Sequence, residues 1–255
     1  MISGLYASAS AMTIEEIKHE VIANNMANAG TVGFKRDNVS ISSFDEVLNS
    51  AVRKIGQSET LLQPPSASTG IESYTDFSQG SIRMTENSLD AAINGDGFFA
   101  VQTPEGTRYT RNGSFALNEN NDLVMTGSPQ YRVLGTGNTP ITVPDSGGKI
   151  SIDRNGNITI GEEAVGTLQV TAFEDNAMLI KAGGNLFMAQ NEGSGTAAPE
   201  GSYTIAQSSL EMSNVNVVQE MIAMIINQRD YQLSQKMIQS QDQTIERAIN
   251  DVGRT

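Results

Sequence analysis

The sequence contains no cysteine and a single histidine, His19. Without cysteine, the chain cannot form disulfides, use a thiolate nucleophile or bind a metal through thiolates. A single imidazole also leaves little room for triad or zinc chemistry. His19 stands between Lys18 and Glu20 in a helical pattern, which is typical of a surface or interface residue. We therefore predict no catalytic residues, no cofactor and no metal site.

Tryptophan is absent as well, and aromatic residues make up only 5% of the 255 residues. With a hydrophobic content of 38%, this composition is thin for one compact core. No apolar run approaches the roughly 20 residues that a membrane span needs. The net charge of −13 disfavours nucleic acid and anionic membranes as partners, because both are polyanions. The opening "MISGLYASASAM" has neither a basic region nor a continuous apolar segment, so we expect no cleaved signal peptide.

Proline and glycine are missing from long stretches at both ends. All seven prolines lie between Pro64 and Pro199, and residues 202–252 contain neither proline nor glycine. Because both residue types interrupt helices, the two ends can form long helices while the middle cannot.

The N-terminal segment shows helical spacing that ends in a polar cluster. Apolar residues recur at intervals of three or four: Ile2, Leu5, Ala9, Met12, then Ile14, Ile17 and Val21. Three asparagines follow, and then two glycines that can stop a helix. Asparagines can simply cap a helix end, but three within five residues exceed one cap. We favour a second interpretation, in which they form polar layers that fix the register between helices.

The C-terminal segment carries a strict heptad repeat of apolar residues: Val217, Met224, Tyr231, Ile238, Ile245 and Val252. The companion row is polar in its middle layers: Met221, Gln228, Gln235, Asp242 and Ile249. The pattern predicts a helix on the order of 55 Å long, capped by Ser213 or Asn214. Because half of its seam is polar, such a helix needs partners. The methionines of the terminal helices suit either ordinary packing or an adaptable interface.

The middle of the chain changes to period two and tight turns. Residues 88–125 alternate short strands with Asn-Gly, Asp-Gly and Glu-Gly pairs, which favour hairpins. Residues 149–160 predict another hairpin that turns at Asn155-Gly156, and "GTLQVTAF" and "GGNLFMAQ" predict further strands. Residues 53–70 and 191–201 have the composition of connecting segments.

Three sequence features formally suggest chemistry. "GDGFFA" (residues 95–100) matches a dinucleotide fingerprint, but a strand rather than a helix follows it. "DRNGNITIGEEA" (residues 153–164) resembles a calcium loop but lacks the glycine and the glutamate of its sixth and twelfth positions. Carboxylates in the middle could serve a glycosidase, yet they fall in turns, where acidic residues are ordinarily solvated. We predict that the protein is not an enzyme.

Several segments resemble one known family in order along nearly the whole chain. "SGLYASASAM" with "IANNMANAGTVGFKR" resembles the N-terminal signature of the bacterial flagellar basal-body rod and hook proteins. "LDAAINGDGFFAV", "YTRNGSFALNENNDLVMTG", "GTLQVTAF" and "GGNLF" resemble the central domain of that family, and residues 210–249 are similar to its C-terminal helix. The length resembles that of the rod subunits rather than the longer hook subunit. "YTRNGSFAL" followed by "TPITVPDSGGKISI" favours the proximal rod type, and the distal type stays open.

The resemblance implies a structural subunit that polymerises into a helical tube and transmits torque from motor to hook. It implies partners among copies of the chain, neighbouring rod and hook subunits and the flagellar export apparatus, with no nucleic acid and no membrane insertion. The implied location is the flagellar basal body across the periplasm, reached by type III export without a cleaved signal. The alternatives are a hook subunit or hook–basal body relative, a free-standing coiled-coil adaptor and, more distantly, a cell-wall glycosidase.

The expected fold class is α+β, with long N- and C-terminal helices that pair as a coiled coil and a central β-rich domain of hairpins. The expected domains are an N-terminal helix (1–36), a connector (37–80), a β-rich outer domain (81–200) and a C-terminal helix (201–255). The predicted turn that redirects the chain comprises Gly30, Gly33 and Phe34. The predicted self-assembly residues are Leu5, Met12, Ile17, Val21, Asn24, Asn25, Asn28, Val217, Met221, Met224, Tyr231, Ile238 and Ile245.

Overall fold

The computed structural model describes residues 2–42, 70–127, 129–144, 148–190, 195–199 and 201–252. For residues 2–7, 41–42, 70–71, 248–249 and 251–252 it describes the backbone alone. The predicted connector at residues 53–70 therefore lies outside the described residues except for Gly70, as does part of the segment 191–201.

The chain forms two compact units. The helical unit comprises Met1–Ala27, Asp37–Thr75 and Asn216–Thr255, and the β unit comprises Asn28–Arg36 and Asp76–Val215. The predicted division into four domains stays a prediction.

The helical unit contains two helices and a two-stranded ribbon among its described residues. Helix α1 (Ile2–Ala27) packs against helix α2 (Val217–Val252). Strands β1 (Asp37–Ser42) and β2 (Gly70–Thr75) pair antiparallel, with Asp37 opposite Thr75. The long helices predicted at both ends are confirmed, since no proline or glycine interrupts α2 and only Gly4 interrupts α1.

The N-cap of α2 is Asn216, because its Oδ1 accepts hydrogen bonds from the backbone N–H groups of Val218 (3.1 Å) and Gln219 (3.3 Å). The predicted caps were wrong by two or three residues. The Ser213 hydroxyl instead accepts a bond from Val215 N. The Asn214 side chain is occupied within the β unit, as described below.

The predicted coiled-coil pairing of α1 and α2 was wrong, although the α+β class is correct. A coiled coil buries an apolar row at both seam positions. In the described part of α2, the fully buried side chains are instead the polar Glu220 and Asn227, at 1% and 5% exposure. Val217 and Tyr231 of the predicted apolar row are 38% and 39% exposed. The α2 face turned toward α1 therefore lacks the apolar seam on which the prediction depended.

The described part of the β unit consists of short strands and one 3₁₀ turn at Asn176–Met178. The strands are β3 (Ile82–Met84), β4 (Ala91–Gly95), β5 (Phe98–Thr103), β6 (Gly106–Thr110), β7 (Phe115–Leu117), β8 (Leu123–Met125), β9 (Arg132–Gly135), β10 (Thr139–Pro140), β11 (Ile150–Ile152), β12 (Asn157–Ile160), β13 (Glu163–Thr167), β14 (Val170–Ala172), β15 (Leu179–Gly183), β16 (Leu186–Ala189), β17 (Thr196–Ala197), β18 (Tyr203–Gln207) and β19 (Ser209–Glu211).

The largest sheet has the strand order β15-β16-β6-β5-β9-β8-β7, and β14 pairs with β5 and β17. The three strands β11, β12 and β13 form a second sheet, while β18 pairs with β4 and β19 with β3. The predicted β11–β12 hairpin is confirmed, with Ile152 opposite Ile158. The turn between β4 and β5 does not close a hairpin, because β4 pairs with β18 and β5 with β6. Gly95 (φ 111°) and Gly97 (φ 134°) turn the chain from one sheet to the next.

The core of the β unit consists of two apolar clusters that share strand β5. Phe99 and Phe115 meet edge to face at a centroid distance of 5.2 Å, among fully buried Ile93, Val101 and Val133. A second apolar cluster surrounds Phe98, whose ring contacts Phe77, Phe173 and Phe187. Strand β5 is therefore buried on both faces, with Phe99 and Val101 in the first cluster and Phe98 in the second.

The β11–β12 hairpin is closed by Asp153, in the stretch that formally resembles a calcium loop. Its Oδ1 accepts bonds from the N–H groups of Asn155 and Asn157, both at 2.9 Å, and its Oδ2 accepts one from Asn157 Nδ2 at 2.8 Å. Desolvation acts to raise the pKa of Asp153, but the bonds from Asn157, Asn155 and Gly156 outweigh it and lower the pKa. The carboxylate is thus the hydrogen-bond acceptor of an Asx turn.

We predict that Asp153→Asn removes an acid-dependent part of the stability of this hairpin. A folded-state pKa below the unfolded value of about 3.9 means that the carboxylate stabilises the fold above that pH. This contribution is lost as the pH falls through the lowered pKa. Amide hydrogen exchange of β11 and β12 at neutral pH and near pH 3 should show a smaller acid effect in Asp153→Asn than in the wild type. Glu162→Gln, which removes an exposed carboxylate from the next turn, is the control; an equal acid effect in Asp153→Asn and the wild type would contradict the prediction.

Candidate self-assembly interface

The segment that follows α1 is part of the β unit and turns at Gly33. Gly33 has φ +70°, and a Cβ at this position would lie 2.5 Å from Asn112 N. Its own N–H donates to the Glu211 carbonyl at 2.8 Å. Gly30 has an ordinary φ, and nothing lies within 4 Å of the position of an added Cβ. Of the two glycines in the predicted turn, Gly33 alone is at a position that requires glycine.

Phe34, the third residue of the predicted turn, is buried at 6% exposure. Lys181 Nζ lies 4.3 Å from the centroid of its ring and donates a 2.6 Å bond to the carbonyl of Lys35. Asn185 Nδ2 donates to the carbonyl of Val32 at 2.9 Å. These contacts bind residues 32–35 to the β15–β16 hairpin.

A buried cluster of charges holds the same segment, and we call it the Glu211 cluster (Lys35, Arg111 and Glu211). Glu211 is completely buried and accepts bonds from Lys35 Nζ at 2.6 Å and from Arg111 Nη1 at 3.3 Å. Its Oε1 also accepts the backbone N–H of Gly80 at 2.9 Å. Lys35 Nζ donates a further bond to the carbonyl of Ser78 at 2.7 Å. Four distant parts of the chain therefore meet at one carboxylate.

Burial lowers the pKa of both cations of the cluster. Desolvation lowers the pKa of Lys35, against the opposite effect of the charge and hydrogen bond of Glu211. Desolvation likewise lowers the pKa of Arg111, again opposed first by Glu211. Loss of the carboxylate would leave two desolvated cations without their counter-ion, which is the costly state of a buried ion pair.

The asparagines of the N-terminal segment have different environments. Asn25 is 1% exposed, and its side chain binds the backbone of Asp37 twice, accepting from N at 2.9 Å and donating to O at 2.8 Å. Asn24 is exposed and Asn28 is half-buried. Asn25 thus fastens the start of β1 to the end of α1, a contact that the predicted role in register between helices did not include.

The sequence analysis treated Asn214 only as a possible helix cap and so missed its hydrogen bonds to distant segments of the β unit. Within the β unit, its Oδ1 accepts the N–H of Arg36 at 2.8 Å, and its Nδ2 donates to the carbonyls of Asp76 (2.9 Å) and Ser78 (3.1 Å). Nothing in the local sequence distinguishes this role from capping, because the three partners lie more than 130 residues away.

The predicted assembly residues of the two helices differ in exposure. Met12, Ile17, Val21, Met224, Ile238 and Ile245 are half-buried. Met221 is 50% exposed, and Val217 and Tyr231 are exposed as well. The side chain of Leu5 lies outside the described residues. Their role in assembly stays a prediction.

A larger apolar surface of α2 was missed. We call it the outer stripe, and its members are all more than half exposed: Val218 (64%), Ile222 (53%), Ile225 (54%), Ile226 (53%), Leu233 (58%) and Met237 (56%). At 100° per residue these side chains share one face of the helix. Asn227, whose Nδ2 donates to the carbonyl of Glu15 on α1 at 2.8 Å, lies on the opposite face. The spacings of three and four were available in the sequence, but the strict heptad on the other side was followed instead.

Two carboxylates in the middle of the chain are buried and have hydrogen-bond partners within the β unit. Asp90 accepts bonds from Thr85 Oγ1 at 2.7 Å and Asn87 Nδ2 at 2.9 Å, and Asp122 accepts one from Thr142 Oγ1 at 2.8 Å. Among the described residues, no group of three His, Asp or Glu side chains could hold a metal ion. Neither α1 nor α2, over the positions described, is apolar enough to cross a membrane.

We predict that Glu211→Gln lowers the free energy of unfolding of the β unit by about 3 kcal/mol, because it leaves Lys35 and Arg111 buried without a counter-ion. Amide hydrogen exchange of β4–β9 measures this difference. Glu163→Gln, an exposed substitution of the same type, should leave exchange unchanged. A loss below about 1 kcal/mol in Glu211→Gln would show that the cluster is not required.

We predict that Gly33→Ala destabilises the β unit by about 2 kcal/mol, because alanine is strained at φ +70° and its Cβ meets the backbone of Asn112. Gly30→Ala is the matched control and should change stability by less than about 0.5 kcal/mol. Urea denaturation of both variants tests this. Equal effects at the two positions would contradict the assignment of the turn to Gly33.

Family models match three parts of the chain. Residues 5–35 match the flagella basal body rod protein family, residues 92–160 match the flagellar hook protein FlgE/F/G D1 domain, and residues 206–251 match the flagellar basal body rod FlgEFG protein C-terminal domain. The three matches include α1 with its turn, strands β4 to β12, and α2.

Curated relatives match over nearly the full chain. The flagellar basal-body rod protein FlgG of Buchnera aphidicola subsp. Baizongia pistaciae is 34% identical over 97% of this chain and 98% of its own length. The flagellar hook-basal body complex protein FlhO of Bacillus subtilis is 31% identical over 100% of both chains. The flagellar basal-body rod protein FlgF of Mesorhizobium japonicum is 31% identical over 99% of both chains. These matches bear out the family expected from the sequence, and the chain belongs to the flagellar basal-body rod proteins, a family of structural components of the flagellar basal body that associate with other rod and hook subunits.

Proposed function

We propose that this chain is a rod subunit that polymerises into a helical tube, which transmits torque from the motor to the hook. The observation that carries the proposal is the outer stripe of α2, which leaves six large apolar side chains more than half exposed on one helix face. A contiguous apolar surface of this kind is typical of an interaction site. The terminal helices would supply the contacts between subunits.

The energetics of the outer stripe favour assembly with several neighbours at once. Completing the burial of a half-exposed aliphatic side chain contributes roughly 1 kcal/mol. One stripe therefore contributes on the order of 6 kcal/mol, which is comparable with the 4–15 kcal/mol that two molecules lose in translational and rotational freedom. A single pair of subunits is thus weakly bound, whereas a subunit that meets several neighbours at the end of a growing tube is firmly bound.

The predicted residues on the other faces of the helices would complete these contacts. Met221, at 50% exposure, adjoins the outer stripe, and Val217 and Tyr231 are exposed between it and α1. The half-buried Met12, Ile17 and Val21 of α1 present their remaining surface to further neighbours. Gly33 and Phe34 would form the turn that redirects the chain after α1.

The proposed partners are copies of this chain, adjoining rod and hook subunits and the flagellar export apparatus. The proposed location is the part of the basal body that crosses the periplasm, reached without cleavage of a signal peptide. The weak pairing estimated above for isolated subunits suits this route, because a chain that does not assemble before export remains available for passage.

We predict that Ile226→Asp abolishes incorporation into the rod, because it replaces an apolar side chain of the outer stripe with a carboxylate that must be desolvated on assembly. Gln243→Asp, at an exposed polar position of the same helix beyond the last residue of the outer stripe, is the matched control and should assemble normally. Swimming of complemented cells and electron microscopy of isolated basal bodies provide the readout. Hydrogen exchange of the β unit should be unchanged in both variants. Rods of normal length built from Ile226→Asp would refute the proposed interface.

A further inference from the structure

A cation stands in the middle of the outer stripe. Arg229 is exposed and lies four residues after Ile225 and four before Leu233, so apolar side chains flank it on both sides. When the outer stripe is covered, this guanidinium is covered with it. A buried cation without a partner is strongly unfavourable. The surface that covers the stripe must therefore offer acceptors at this level of the helix.

An open cavity of about 370 Å³ lies between α1 and α2 on the other side of the helical unit. Its walls combine apolar and acidic side chains, and they comprise Glu15, Glu16, His19, Met224, Asn227, Gln228 and Tyr231. The volume is large enough for one long side chain, and the lining is suited to a cation with an apolar stem.

One wall of this cavity has a hydrogen-bond acceptor that is not used. Asn227 is 5% exposed, and its Nδ2 donates to the carbonyl of Glu15. Its Oδ1 is buried and accepts no hydrogen bond from any described residue. A buried amide oxygen without a donor costs free energy until a donor reaches it. Asn227 therefore closes the base of the cavity as a buried, polar side chain that is held to α1.

Two carboxylates stand at the cavity in different states. Glu15 already binds Lys18 Nζ at 2.8 Å. Glu16 is exposed and forms no ion pair with another described residue. Glu16 can thus receive a cation from outside, and the Tyr231 ring at the same cavity offers a face for stacking.

We propose that Arg229 of one copy of this chain enters the α1–α2 cavity of a second copy. The proposal rests on the polymerisation proposed above and names the contact that sets its register. The planar guanidinium can bind the Glu16 carboxylate through two parallel N–H groups and stack on the Tyr231 ring, which a lysine cannot do in the same way. The flanking stripe residues then cover Met224 and Tyr231 at the rim.

This contact is of the head-to-tail kind, because Arg229 and the cavity lie on opposite faces of α2. Each copy therefore uses one face to bind the next copy and leaves the other face open for a third. Contacts of this type generate a closed ring or an open helical filament, not a closed two-fold dimer. A single arginine would thus fix both the direction and the register of the polymer.

Disulfide trapping provides the direct test, because the chain contains no cysteine of its own. Purified Glu16→Cys and Arg229→Cys are mixed at high concentration and oxidised, one of them carrying a tag that shifts its size. The expected product is a mixed dimer that forms several times more abundantly than either homodimer. Lys236→Cys, on the same exposed face of α2 about two turns away, replaces Arg229→Cys as the matched control and should trap far less. The double variant Glu16→Cys/Arg229→Cys should give a ladder beyond the dimer.

A charge exchange gives the second readout, in sedimentation across a concentration series. Arg229→Glu and Glu16→Arg should each raise the concentration for half-association at least about tenfold, and the double variant should restore most of the loss. Arg83→Glu, which makes the same change of net charge in the β unit, should associate like the wild type.

The outcomes separate the contact from the polymer. If the wild type associates but Arg229→Glu associates equally well, or the charge exchange gives no rescue, the Arg229 contact is overturned and polymerisation stands. If Arg229→Cys traps only with itself, the interface is two-fold and the head-to-tail arrangement is overturned. If the wild type stays monomeric at every concentration and no pair is trapped, the polymerisation proposal fails together with the contact.

Discussion

Glu211 lies completely buried between two cations and a backbone N–H, and distant segments of the β unit meet at this carboxylate. It binds Lys35 from the segment that follows α1, Arg111 from the end of β6 and Gly80 from the segment before β3. Gly33 donates to the carbonyl of the same residue. A short segment after the first helix is thereby fixed to the segment before the second helix, although 176 residues separate Lys35 from Glu211. The same buried charges that hold these segments would become strongly destabilising if any one of them were removed.

The helical unit has the reverse distribution of polarity from an ordinary helix pair. Toward α1, the fully buried side chains of α2 are Glu220 and Asn227, and away from α1 the outer stripe exposes six apolar side chains. The exposed apolar side chains do not stabilise an isolated subunit, because apolar surface in water is unfavourable. The outer stripe is explained if neighbouring subunits cover it, as proposed above. Weak single contacts and strong multiple ones then allow the chain to remain unassembled until it reaches the end of a polymer.

Several features of the fold and the assembly surface could be predicted from the sequence, and their limits have one cause. The prolines and glycines located the long helices, and the Asn-Gly and Glu-Gly pairs located strands β4 to β8 and the β11–β12 hairpin, because these residues act on their own backbone. The prediction of a coiled coil was wrong because a heptad repeat shows that side chains share one face of a helix, not that this face is buried. The predicted cap of α2 was wrong because Asn214 and Asn216 have the same local propensity for capping. The side chain of Asn214 instead forms hydrogen bonds with Arg36 and Asp76, which are far away in the chain.

The sequence by itself determined the kinds of secondary-structure element, their order and the family to which the chain belongs. Local propensity carries the first two, and family motifs along nearly the whole chain carry the third. The tertiary structure decided which face of each helix is covered, which of two glycines must be a glycine, and which charges meet. Those outcomes depend on contacts such as Lys35 with Glu211 and Asn227 with Glu15, between residues whose separation along the chain gives no indication of their distance in space. Two rows of apolar side chains with the same spacing along a helix are indistinguishable in the sequence. Only tertiary packing determines which row is buried and which is exposed to solvent.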